Sequence, residues 1–376
     1  MYYYERGEEA LQRHEFATAL AFFHDCLQKD PYYYDAYYSQ GLVKEQLQDL
    51  KGALTDYNIY LEKKPQHTEA LFSRGVLRYK LEMYDLARQD FEKLLQLPPG
   101  ETTTIFFQVD AFGQGANKVF TTQGSGKAYL YNYLGLCQTR LGQLQNAVTA
   151  FDKAIELNPN DPDLFVNRGL AKEGMNDLTS AVTDYQAALA RNPDHGLARH
   201  NLGVLAARQG LDATSEKFLT EAIEKSPGLP YPHAQRGFAR FERKDYAGAL
   251  QDYNEAVRLD SSDVDYVINR GVVKEKLRDL NGALADFSKA ATMAPNAANA
   301  WFHRGNVLSK LNRLPEAIED YTLAIFYDAS YAAAYYNRAL AQNRTGQKKE
   351  ACNDLMKAKD LGMKVEPKVE TRICSR

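Results

Sequence analysis

The chain has 376 residues, with 46 Lys and Arg against 49 Asp and Glu, a net charge of −3 and 44% hydrophobic residues. That balance leaves no electrostatic footprint for nucleic acid or an anionic membrane surface, and the apolar content excludes wholesale disorder. No apolar run approaches the ~20 residues that span a bilayer, and Met1 is followed by Tyr2, Tyr3, Tyr4, Glu5 and Arg6 rather than by an apolar signal core.

Taken in chain order, the sequence repeats. Glycine recurs at Gly7, Gly41 and Gly75, then at Gly135, Gly169, Gly203, Gly237, Gly271 and Gly305, with Ala339 next. Every step is 34 residues except the 60 between Gly75 and Gly135. With this residue as position 8 of each unit, position 20 is small (Ala19, Ala53, Ala87, Ala147, Ala181, Ser215, Ala249, Ala283, Ala317, Ala351). Position 24 carries a ring in eight units (Phe23, Tyr57, Phe91, Phe151, Tyr185, Tyr253, Phe287, Tyr321), with Leu219 and Leu355 in the others. Proline closes most units at position 32, from Pro31 to Pro295, where it cannot continue a helix.

Positions 4, 7, 8 and 11 fall on one side of a first helix, and 20, 24 and 27 on one side of a second. Small residues at 8 and 20 let the two backbones approach, and the ring fills the space beside them. The period and the four in-phase series resemble the tetratricopeptide repeat family. The resemblance implies an all-α, right-handed superhelical solenoid of helix pairs whose first helices line a concave groove, and a non-catalytic scaffold for protein–protein interaction.

Ten units are expected: units 1–3 over residues 1–101, an insertion over 102–127, units 4–10 over 128–365 and a tail over 366–376. In the insertion, Thr102 to Val109 and Lys118 to Thr122 are β-rich and separated by glycines, which predicts a β-hairpin with a long turn. A lone hairpin is marginal in water. The expectation is that Ile105, Phe107 and Phe120 dock near Tyr129 and Tyr133 of unit 4 and narrow the groove there. Both ends of the array look uncapped, which raises the alternative of a structural subunit of a ciliary or cytoskeletal assembly, self-associating through its ends, with the face around Leu355, Ala358 and Leu361 left open.

Position 7 holds Arg and position 23 Asp in six units: Arg74/Asp90, Arg168/Asp184, Arg236/Asp252, Arg270/Asp286, Arg304/Asp320 and Arg338/Asp354. Units 4 and 6 hold neither, so an ion pair within each unit is the better inference than one across units.

Position 6, on the groove side, carries an amide or imidazole in six successive units: Asn167, Asn201, Gln235, Asn269, His303 and Asn337. A carboxamide both donates and accepts, so such a ladder can hold the backbone of an extended peptide whatever its side chains. It resembles the asparagine ladder in the repeat arm of O-GlcNAc transferase. The competing expectation is that the amides bond within the array. Position 9 adds Phe238, Val272, Asn306 and Leu340, an apolar floor, and position 13 adds Arg208, Lys276, Lys310 and Arg344. The expected guest is therefore an extended protein segment with apolar side chains.

Enzyme chemistry has no support. Gly124-Ser125-Gly126-Lys127-Ala128 lacks the upstream glycine and the hydroxyl of a phosphate loop, and no HExxH or GxSxG occurs. No cofactor or metal is expected. Cys26, Cys137, Cys352 and Cys374 lie far apart without a CxxC, which predicts free thiols in a reducing compartment, the cytoplasm.

Overall fold

A computed structural model of the chain describes residues 1–97, 108–109, 115–116 and 125–374. The chain divides into two compact bodies, Met1–Pro193 and Asp194–Arg376. The first contains α1 (Tyr2–Gln12), α2 (Phe16–Lys29), α3 (Tyr34–Gln46), α4 (Leu50–Lys63), α5 (Thr68–Lys80) and α6 (Tyr84–Gln96). It continues with β1 (Gln108–Val109), β2 (Gly115–Ala116), α7 (Ser125–Arg140), α8 (Leu144–Leu157), α9 (Pro162–Gly174) and α10 (Leu178–Arg191). The second contains α11 (Gly196–Arg208), α12 (Asp212–Lys225), α13 (Pro230–Glu242), α14 (Tyr246–Leu259), α15 (Val264–Lys276) and α16 (Leu280–Met293). It ends with α17 (Ala298–Lys310), α18 (Leu314–Tyr327), α19 (Ala332–Arg344), α20 (Lys348–Asp360) and α21 (Pro367–Cys374).

Each repeat is one antiparallel helix pair, and each pair packs on the next within its body. The core is built where the period placed it. Ala283, Phe287 and Ala290 are fully buried in unit 8. A methyl group built on Gly271 would come within 2.7 Å of the Phe287 ring, so a side chain there collides with the aromatic that fills the pair. Unit 10 shows the complementary solution, Ala339 facing Leu355. First helices of neighbouring units touch (α1 and α3, α7 and α9, α11 and α13, α15 and α17, α17 and α19), and no two second helices come as close. First helices therefore line the inner side of the curve within each body.

The turns between paired helices put position 15 in the left-handed region in all ten units. Only Gly142, Gly210 and Gly346 are glycine there; His14, Gln48, Glu82, Asn176, Lys244, Arg278 and Asn312 take the same conformation with a side chain. Each of those seven carries a strain on the order of 1 kcal/mol. Asp49, Asp177, Asp245 and Asp279 then cap the second helices by accepting from the backbone N–H three residues on.

All six predicted Arg–Asp pairs form within their units as two-pronged contacts. In unit 8, Arg270 donates through Nε to Asp286 Oδ2 at 2.9 Å and through Nη2 to Oδ1 at 2.6 Å. Two further partners were not foreseen. Position 11 supplies a second cation to the same carboxylate: Arg78 to Asp90, Lys172 to Asp184, Arg240 to Asp252 and Lys274 to Asp286. The remaining guanidinium nitrogen reaches position 25 of the preceding unit, at Asn58 from Arg74, Asp152 from Arg168, Thr220 from Arg236 and Thr322 from Arg338. The arginine joins its own helix pair and also the pair before it.

Unit 2 has Gln40 at position 7, so its buried Asp56 has only Lys44, at 2.7 Å, in an ion pair that leaves Oδ2 without a hydrogen bond. Burial pushes the Asp56 carboxyl up to about 6, and Lys44 offsets this only in part. Because the folded state binds this proton more tightly than the unfolded state, the group's contribution is present below the ordinary carboxylate range and is lost as pH rises through about 6. That contribution is on the order of 2 kcal/mol. Gln40→Arg supplies the missing fork, and the expected result is a smaller loss of stability between pH 4 and pH 7 than in the parent. Denaturant midpoints across that range measure it, and parallel curves for the two proteins would count against the account.

Three sequence expectations need correction. The hairpin is not supported: before α7, the described backbone in the insertion is a two-residue antiparallel ladder, Gln108 opposite Ala116 and Val109 opposite Gly115. Lys118 to Thr122, expected as its second strand, lies outside the described residues, and α7 begins at Ser125. The face around Leu355, Ala358 and Leu361 is not open at Leu355 and Ala358, which are buried, while Leu361 is half-buried. Pro367 opens the short helix α21, since proline suits the first position of a helix. Ile373 of α21 is buried against Leu355 and Ala339. Finally, the cysteines are not all free thiols: Cys352 and Cys374 form a disulfide, whereas Cys26 and Cys137 are free and buried.

Candidate functional site

Two junctions show how adjacent first helices register. Asn337 Nδ2 donates to Asn306 Oδ1 at 2.7 Å, and Ser39 Oγ donates to Glu8 Oε1 at 2.5 Å. Both join position 6 of one unit to position 9 of the unit before. Asn306 Oδ1 also accepts from Tyr321 Oη at 2.9 Å, so the Asn337–Asn306 contact is anchored to the second helix of unit 9.

The six position-6 residues then separate into different states. Asn167 and Asn337 bond within the array, the former donating to Asn132 Oδ1 at 2.9 Å, as the competing expectation required. Asn201 is buried with its Nδ2 lacking a partner. Gln235 is half-buried. His303 stacks on Phe287 at 5.3 Å between ring centres, and burial lowers its pKa below the usual histidine range. Asn269 is exposed and makes no side-chain hydrogen bond among the described residues. Position 9 of the unit before it is Phe238, which has no group to bond an amide.

Phe238 is itself 51% exposed. On the same face Val272, Asn306 and Leu340 are half-buried. His200, one residue before Asn201, packs against the Tyr231 ring, and burial lowers its pKa to about 4, so it is neutral at pH 7. The positive charge expected at position 13 is partly engaged, since Lys310 pairs with Glu275 and Arg344 donates to Asn312 Oδ1 at 2.7 Å.

In the first body, Tyr133 does not present an open ring. It stacks on Phe91 at 5.1 Å and meets the edges of Phe72 and Tyr79, so it seals unit 4 to unit 3. Tyr129 is half-buried. Ile105, Phe107 and Phe120, the proposed docking side chains, lie outside the described residues. No group of three or more His, Cys, Asp or Glu that could hold a metal occurs among the described residues, and no described helix is long and apolar enough to cross a membrane.

Family models described as tetratricopeptide repeat match residues 4–68, 46–102, 128–161, 166–230 and 332–361, and one described as TPR repeat matches 305–346. The chain belongs to the tetratricopeptide repeat family. Such arrays mediate protein–protein interactions. The human "Tetratricopeptide repeat protein 6" is 28% identical over 141 residues, which cover 37% of this chain and 27% of that protein. The mouse "Tetratricopeptide repeat protein 16" is 29% identical over 146 residues, 37% of this chain and 18% of that one. The chain thus spans about a quarter or less of the length of these relatives. Among solved structures, yeast Tom70 is similar with a TM-score of 0.44 at 16% identity, over 96% of this chain and 84% of that one. A likeness at that level says nothing of what this chain binds.

Proposed function

We propose that this tetratricopeptide repeat chain is a non-catalytic scaffold, and that the first-helix face of units 6–10 is a groove for an extended protein segment with apolar side chains. The observation that carries the reading is the pairing of Phe238 with Asn269. Both are exposed, and the register of position 6 on the preceding position 9 seen at Asn337–Asn306 and Ser39–Glu8 would set them side by side. An exposed ring can anchor an apolar side chain, and the free carboxamide can bond the backbone of the same peptide through both donor and acceptor. Asn201, Gln235, His303 and Asn337 flank this point as adjustable walls rather than as equal rungs. Asn167 belongs to the first body and is left out of the groove.

The test is selection of extended peptides from a random library on the full chain, followed by affinity measurement on two variants. Asn269→Ala is expected to weaken selected peptides by about 1–3 kcal/mol, the cost of leaving a buried peptide group unpaired. Phe238→Ala is expected to weaken them by about 2 kcal/mol or more, as for an interface anchor. Peptides that bind tightly and are indifferent to both substitutions would place the binding surface elsewhere.

A further inference from the structure

In units 8 and 9, position 21 of the second helix packs into a cluster that reaches the following unit. Leu284 of unit 8 packs into the cluster of Leu308 and Tyr321 of unit 9, and Ile318 of unit 9 packs into the same cluster, which extends to Ala341 of unit 10. In unit 10 the residue at position 21 is Cys352. What faces it is α21, through the disulfide to Cys374. The short terminal helix therefore stands where a next first helix would stand, covering Ala339, Leu355, Tyr336 and Leu340.

Little else holds it. Of the eight residues of α21 only Ile373 is buried, with Val369 partly so. Its ion pair, Lys359 to Glu370 at 2.9 Å, lies at the surface and contributes little. Isolated helices shorter than about 12 residues are marginal in water. Both sulfur-bearing residues are half-buried rather than enclosed, so a small reductant reaches them. Cys26 and Cys137 are buried free thiols of the first body.

We propose that Cys352–Cys374 is a redox latch that fixes α21 over the end of unit 10, and that reduction by a dithiol releases the helix and uncovers the apolar face beneath. One thiolate of the dithiol attacks a sulfur of the bridge and expels the other cysteine as thiolate. The second thiol of the reductant then displaces the first cysteine. The reductant leaves as its own disulfide, having given up two electrons, and its two protons end on Cys352 and Cys374. The cycle acts at unit 10, where α21 covers Tyr336 and Leu340, two units along the chain from Asn269.

The experiment is hydrogen exchange on the full chain, oxidised and after dithiothreitol, beside Cys374→Ser. Peptide mapping without reductant first establishes the bridge in the oxidised protein. The expected result is that amides of α21 exchange on the order of a hundredfold faster in both the reduced protein and the serine variant, from loss of the loop constraint. Units 6–9 should be unchanged. Unaltered protection of α21 in either form would overturn the latch, since packing alone would then hold the helix, and so would absence of the bridge from protein purified under oxidising conditions.

Discussion

Replacing Asp286 by alanine is expected to lower the stability of unit 8 by about 3–5 kcal/mol, because two cations then lose a buried counter-charge. Arg270 and Lys274 converge on opposite oxygens of this carboxylate at 2.6 and 2.7 Å. Alanine removes the acceptor and leaves both cations in a site that solvent reaches poorly. Arg270→Ala is less severe on its own, since Lys274 still neutralises Asp286. The double variant Arg270→Ala with Asp286→Ala should cost less than the sum of the two single changes, because the interaction removed is shared. Repeat arrays do not unfold as one unit, so hydrogen exchange in α15 and α16 is the appropriate measurement. A cycle with no coupling would mean that the fork is incidental to the packing.

The second large effect is in the same unit. Phe287→Ala is expected to cost about 3–5 kcal/mol, the range for emptying an aromatic site in a close-packed core. Its ring is fully buried and fills the space that Gly271 leaves open. Gly271→Ala alone should cost about 1–3 kcal/mol through overpacking, set against a gain of about 1 kcal/mol in helix propensity. The combination Gly271→Ala with Phe287→Leu reproduces the pair that unit 10 uses at Ala339 and Leu355. It should be more stable than Phe287→Ala, and exchange rates in α16 give the comparison. Equal loss in both would show that unit 8 does not accept the arrangement of unit 10.

The repeat, its helix pairing and the Arg–Asp forks were legible because each is written at a fixed spacing in one residue class. The extra ligands of the forks were not. Position 25 is Asn58, Asp152, Thr220 or Thr322, four side chains that share an acceptor oxygen but no residue class. The left-handed turn was hidden for the same reason: position 15 is shaped by the turn and only sometimes marked by glycine. Helix α21 was not expected because a stretch of eight residues shows no repeat spacing, and only Ile373 among them is buried. The disulfide was missed with it, since Cys374 has a partner only once α21 exists. At the groove, the residue types of the ladder were legible. Their separate states were not, because an amide at position 6 takes whatever acceptor the preceding first helix offers, Asn132 at position 5 for Asn167 and Asn306 at position 9 for Asn337.

The bond from an arginine to the preceding unit also has a mechanical meaning. Arg338 holds Asp354 behind it in its own pair and Thr322 in the pair before, and Arg236 does the same with Asp252 and Thr220. Tension applied along such a stack cannot draw out one helix while leaving its partner seated, because the same guanidinium grips the partner and the neighbour. Under load, the natural increment of extension is therefore a whole helix pair together with its seam. At the four seams that carry this bond, the expected step under load is one repeat.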